Sequence, residues 1–263
     1  MRAKRVIYYT DPINDDFATG KIKTKTVDAT HKFVNRNIIW NVSAMILYYL
    51  VAAPLILMIS KFYLGVKFEN RAVLKQVRRG GYFLYGNHTR DLDAFLPALS
   101  AFPKRVHIIA HANAVSTPIL KQIVVMLGAI PVPSGTSGMK GFLEAVDLRI
   151  KEKRCVAIYP EAHIWPFYTG IRPFTETSFW YPVKMRVPAV AMVVTYRRRA
   201  GVFRIFKKPG MTITFSEPFF ADDKLSPKRA QKKLRDEVYC FMTKISSEKE
   251  NIEYIKYVRR PHE

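Results

Sequence analysis

The sequence predicts an α/β layered domain. Its sheet is expected to be mixed and largely parallel, flanked by helices and preceded by an N-terminal membrane-embedded helical element. Three observations lead there. Short apolar runs alternate with longer segments of helical period, the pattern of strands connected by helices. VPAVAMVVTY, residues 187–196, is apolar almost throughout and rich in valine, as a strand covered on both faces should be. Residues 38–64 are nearly all apolar, and about 20 such residues span a bilayer.

Residues 1–37 are polar and mixed in charge, and read as a flexible or surface-lying tail in which Lys21, Lys23, Lys25, Lys32 and Arg36 lead up to the apolar run. No small-residue cleavage pattern follows it, so it does not read as a secretory signal. Within 38–64, Pro54 falls mid-run, where it can break a helix. Basic residues flank both ends, so the positive-inside rule gives no orientation. A two-helix hairpin returning to the cytoplasmic side satisfies both facts; a single span satisfies the length. Residues 65–81 carry Lys67, Arg71, Lys75, Arg78 and Arg79 against Glu69, a cationic face suited to an anionic membrane.

YFLYGNHTRDLDAF, 82–95, reads as a strand from Tyr82 to Tyr85, a tight turn at Gly86-Asn87, then His88 and the acidic start of a helix. A histidine beside a carboxylate makes a general base: the acid fixes the imidazole tautomer and stabilises the cation formed on proton uptake. Asp91 and Asp93 are rival partners. His88 and Asp93 would point about 140° apart on one straight helix, so His88 must sit before the helix for Asp93 to reach it.

FLPALSAF is a helix ending near Pro103, and VHIIA, 106–110, is a strand. TPILKQIVVMLG, 117–128, is a helix with Thr117 as N-cap and Pro118 at its first position. AIPV follows as a strand. The loop SGTSG opens the helix MKGFLEAVDLRIKEK, CVAIYP is another strand, and RIFKKPGMTITFSEP suggests a final hairpin. Residues 226–258 read as one charged amphipathic helix packing by Leu234, Val238, Phe241 and Ile245. Cys155 and Cys240 read as buried thiols.

The chain has 263 residues and a formal charge of +22, with 49% hydrophobic residues. That excess calls for a polyanion, either nucleic acid or an anionic membrane. No zinc ligand set, RNP-like motif or helix-turn-helix is evident, which leaves the membrane surface and no nucleic acid.

Four blocks in order carry a resemblance: NHTRDLD, GAIPVP (128–133), YPEAHIWPF (159–167) and VPAVAMVVTYR (187–197). They resemble the glycerolipid acyltransferase family of the PlsC type, whose signature is Asn-His-x-x-x-x-Asp. The resemblance covers about 62–220. It implies His88 as base with Asp93, rather than Asp91, as its partner, and an acyltransferase domain over 65–263. It implies a membrane site on the cytoplasmic face, and acyl transfer from acyl-CoA or acyl carrier protein to a lysolipid hydroxyl. The thioester is already activated, so no metal or other cofactor is expected, and backbone N–H groups near the helix start would steady the oxyanion.

Glu161 matches the family's acceptor-site glutamate. The family's cation positions around it are Ile164, Ser134 and His111 here. Arg90, Lys140 and Arg172 are the substitutes expected to bind an acceptor phosphate. Otherwise the acceptor is a phosphate-free aminolipid or glycolipid, with His163, Trp165, Phe167 and Trp180 lining its pocket or serving as core aromatics. A non-enzymatic basic membrane-binding protein is the remaining alternative.

Overall fold

The computed structural model describes residues 5–18, 25–116 and 118–260. Thr117, Lys21 and Lys23 lie outside them. Among the described residues, nine strands form two sheets. The main one holds β2 (Lys67–Glu69), β3 (Tyr82–Gly86), β4 (Val106–Ala110), β5 (Ala129–Pro131), β6 (Cys155–Ile158), β7 (Ala189–Arg197) and β8 (Gly210–Phe215). Its order is β2-β8-β7-β3-β6-β4-β5. Every neighbouring pair is parallel except β7 with β8.

Helices cover both faces of the sheet, so its central strands are apolar without alternation. β3, β6 and β8 are wholly buried, as are eight residues of β7. Period-two geometry sorts their side chains into two layers. Phe83, Tyr85, Val156 and Val193 meet the helices Met139–Lys151 and Pro227–Glu248, while Leu84, Met192, Val194 and Ile213 meet Leu96 and Phe167.

Five expectations need correction. The apolar stretch is one continuous helix, Ile38–Leu64, not a hairpin. Two π-helical stretches, Leu47–Ala52 and Ile59–Leu64, lie within it. Ala53 N–H donates to Tyr48 O, five residues back, so the turn is already widened where the Pro54 ring must fit. At ~1.5 Å per residue the helix is about 40 Å long, more than the ~30 Å apolar thickness of a bilayer.

The first residues are not merely a tail: β1 (Arg5–Tyr9) pairs in parallel with β9 (Ile255–Arg259). The last helix therefore stops at Glu248, with Leu234, Val238, Met242 and Ile245 buried. The final hairpin is β7 with β8, closed by a long loop, rather than a turn within 204–218. Cys155 is buried, but Cys240 is exposed, because it lies on the side of its helix opposite Val238 and Met242.

His107, in β4, is buried, and among the described residues no carboxylate enters the causes of its shift. Burial, then Arg149, Arg105 and Arg154, hold its pKa well below the ordinary value. The unfolded chain binds this proton near pH ~6.5 and the native chain does not. Stability is therefore fully present above about pH 6.5 and declines as pH falls below it. Denaturant midpoints measured in detergent between pH 7.5 and 5 should fall, and His107→Gln should flatten that slope.

Candidate active site

The site forms at the C-terminal ends of β3 and β6, adjacent parallel strands at the sheet's centre. Ligands bind in the crevice at that end of such sheets. Gly86 ends β3 under close approach: a Cβ there would lie 2.7 Å from the Tyr159 ring. Asn87 then turns the chain. Its Nδ2 donates to Val194 O (3.0 Å) and its Oδ1 accepts from Val194 N–H (2.8 Å), stapling the turn to β7.

His88 follows, before the short turn Asp91–Phe95, as the spacing requires. Its N–H donates to Glu161 Oε2 (3.2 Å) and its carbonyl accepts from Trp165 N–H (3.3 Å). The imidazole stacks on Tyr159 at 4.5 Å. Nδ1 is buried 3.7 Å from Asp93 Oδ2, and the side chain is 15% exposed. The accessible part of the side chain therefore lies away from Nδ1.

Asp93 is fully buried. Its Oδ2 accepts from Thr89 N–H (2.6 Å), Arg90 N–H (2.7 Å) and Thr89 Oγ1 (3.2 Å). The carboxylate thus shapes the turn and presents negative charge to His88 at ion-pair range. It also commits the N–H groups nearest the helix start, so Thr89 and Arg90 are not available as oxyanion donors. Tyr159 donates its hydroxyl hydrogen bond to Asp93 O, and Tyr196 donates to Thr89 Oγ1 (2.7 Å).

Glu161 is buried just past β6. Burial pushes its pKa up, and Arg172 opposes the shift. Oε1 accepts from Arg172 N–H (3.1 Å), and the Arg172 side chain, 1% exposed, brings Nε within 3.6 Å of Oε2. The same guanidinium donates to Glu161 O (3.0 Å), His163 O and Pro12 O (3.5 Å), and lies over the Trp165 ring. Arg90 is buried over Phe167 (4.9 Å), with Met211 Sδ 3.7 Å from its NH1. Lys140 is exposed in the first turn of Met139–Lys151. His88, Asp93, Glu161 and Arg172 are thus brought together, whereas Arg90, Lys140 and Arg172 do not share one cluster.

The positions that depart from the family's cations have other partners. Ser134 exchanges hydrogen bonds with Val27, His111 Nδ1 accepts from Asn113 N–H, and Ile164 N–H donates to Asp16 Oδ1. Trp165 and Phe167 are core aromatics. Sequence reasoning missed Tyr159, Thr89 and the segment around Asp15 and Asp16. Asp15 O accepts from Trp165 Nε1 (2.7 Å), and Asp16 Oδ2 lies 3.6 Å from His163 Nδ1. The apolar run VIYY, 6–9, just ahead of it, was the signal that this part of the chain is structured.

An apolar cavity of about 730 Å³ adjoins the turn that carries Asp93. Asp91 and Ala94 border it, Ala98 and Leu99 line one side, Ile108 and Ile123 another, and Tyr48 to Leu57 of the long helix a third.

A family model described as Acyltransferase matches residues 65–213, more than half the chain. No curated protein matches significantly. Among solved structures, the 1-acyl-sn-glycerophosphate (LPA) acyltransferase PlsC from Thermotoga maritima is similar. Its TM-score is 0.51 at 15% identity, with 82% of this chain and 98% of that one covered. Such a likeness speaks to the fold.

Proposed function

The chain belongs to the acyltransferase family, and we propose that it moves a fatty acyl group from acyl-CoA or acyl carrier protein to a lysolipid hydroxyl at the cytoplasmic face of a membrane. The observation that carries this reading is the His88–Asp93 pair on a turn whose Asp91, Ala94 and Phe95 border a 730 Å³ apolar cavity walled in part by the long apolar helix. A cavity of that lining suits a hydrocarbon chain, and its border on the Asp91–Phe95 turn brings the thioester end of the chain toward His88.

In this reading the Nε2 edge of His88 takes the proton from the acceptor hydroxyl. The hydroxyl oxygen attacks the thioester carbonyl, the C–S bond breaks, and the thiolate leaves with the proton returned from the imidazolium. Asp93 stabilises that cation through the buried Nδ1 side. Glu161 fixes the backbone of His88 and so aims the ring.

For the acceptor, the T. maritima protein's name gives 1-acyl-sn-glycerophosphate, and the likeness supports a similar lysolipid. A phosphate-free acceptor is the second reading, favoured by the state of Arg172. Its guanidinium is turned onto Glu161 and three carbonyls, and a phosphate monoester wants free Arg or Lys donors. Transfer assays with both donors on lysophosphatidate and on phosphate-free lysolipids decide between them. Absence of transfer to every acceptor from either donor would defeat the proposal.

The cavity also makes a prediction about chain length. Ala98→Phe should fill part of it and displace two or three methylenes of a long acyl chain. At ~0.8 kcal/mol per buried methylene this costs about 2 kcal/mol, or roughly 30-fold in kcat/KM. Kinetics with long and short acyl donors should show the loss on the long one alone.

A further inference from the structure

The loop joining β7 to β8 has no part in the site, yet it combines features rarely found together. Its sequence, RRRAGVFRIFKKPG over 197–210, contains no acid. A single helical turn, Gly201–Ile205, holds up its tip. There Val202 is 78% exposed, Ile205 80% and Phe203 36%. Isolated apolar side chains on a surface are ordinary, but three within four residues form a patch. Arg198, Arg204, Lys207 and Lys208, all exposed, surround it. Glu250 Oε1 accepts from the backbone N–H of Arg198 at its edge.

The loop's position is fixed. Arg199 is buried and donates to Lys208 O (2.8 Å), closing the loop's own base, and to Tyr63 O (2.6 Å), in the last turn of the long helix. Arg197 donates to Gly65 O (2.6 Å), just past that helix. Gly65 closes the helix in the left-handed region (φ 60°), and a Cβ there would lie 2.8 Å from the Arg199 guanidinium. Two arginines thus satisfy carbonyls at the helix's C-terminal end, where cations are favoured. They bind the loop to the end where Phe62 and Tyr63 are exposed, aromatics of the kind enriched at a bilayer interface.

We propose that this loop is a second membrane contact. Val202, Phe203 and Ile205 enter the acyl boundary of an anionic leaflet beside the helix end, and Arg198, Arg204, Lys207 and Lys208 bind its headgroups. The inference rests on the membrane reading of the Ile38–Leu64 helix. Its consequence is that the domain is held at two points, the helix and the loop, which together set its orientation to the surface.

The test uses full-length protein reconstituted into vesicles of phosphatidylcholine, with or without 30% phosphatidylglycerol. Ile205→Cys on a Cys240→Ser background carries an environment-sensitive fluorophore, Cys155 being buried. The same fluorophore on native Cys240 is the control. Flotation reports anchoring by the helix, and the fluorophore reports the loop. The expected result is co-flotation, an intensity rise of at least twofold at position 205 that lipid-borne spin labels quench, a smaller rise without the anionic lipid, and no change at Cys240. Co-flotation with position 205 still in water overturns the loop contact and leaves the helix reading standing. Equal rises on both vesicle types overturn the headgroup assignment. Failure to float overturns the helix reading and this inference with it. A response to an acidic carrier protein but not to vesicles replaces the membrane with a protein partner.

Discussion

Replacing His88 with alanine is expected to lower acyl transfer by about 10²–10⁴-fold, the usual worth of a positioned general base. The hydroxyl of a lysolipid is a poor nucleophile near neutral pH, and His88 is the imidazole held at ion-pair range of Asp93. The loss should be catalytic rather than structural. What His88 gives the fold comes mostly through its backbone, which bonds to Glu161 and Trp165, and alanine keeps both groups. The ring adds stacking on Tyr159, worth about 1 kcal/mol. Circular dichroism and thermal unfolding in detergent should therefore match the native chain within a few degrees while turnover collapses. Folded His88→Ala protein with unchanged transfer would remove the base from the mechanism.

Asp93→Asn gives a graded companion result, since it removes the charge that stabilises an imidazolium and also disturbs a turn held by three hydrogen bonds to one oxygen. Its effect on activity should exceed its effect on folding, with both measurable.

How far such residues could be read in advance depended on how local their causes are. The strand ending at Gly86, and His88 placed ahead of the helix, followed from a pattern within fourteen residues. The buried strands β6 and β7 announced themselves by unbroken apolar runs. The pairing of β1 with β9 did not, because its register, Arg5 with Ile255, joins opposite ends of the chain and no nearby residue encodes it. The continuous helix defeated expectation for a different reason. Pro54 breaks an ordinary α-helical ladder, but a π-helical turn ahead of it removes the conflict, and turn type is a property of packing rather than of composition. Arg172 was legible as a cation near Glu161; that its guanidinium is buried and turned inward depended on Pro12 arriving from the start of the chain.

That burial sets the second large effect. Arg172→Met is expected to destabilise the domain by about 3–5 kcal/mol, because removing one partner of a buried pair strands the other. The whole margin of a typical domain is only about 5–15 kcal/mol. The variant should unfold at markedly lower denaturant, and its Glu161 would lose the cation that opposes the rise in its pKa. Glu161 would then escape the penalty by binding a proton, so the deficit relative to the native chain should shrink as pH falls toward the carboxylate range. The double variant Glu161→Gln, Arg172→Met removes the stranded charge and should recover part of the loss, a coupling that a thermodynamic cycle measures directly. The outcome also separates two roles for Arg172. A residue that clamps the backbone of the site loses stability first, with activity falling because His88 is no longer aimed. A residue that binds an acceptor phosphate would leave the denaturation midpoint in place and raise KM for lysophosphatidate alone.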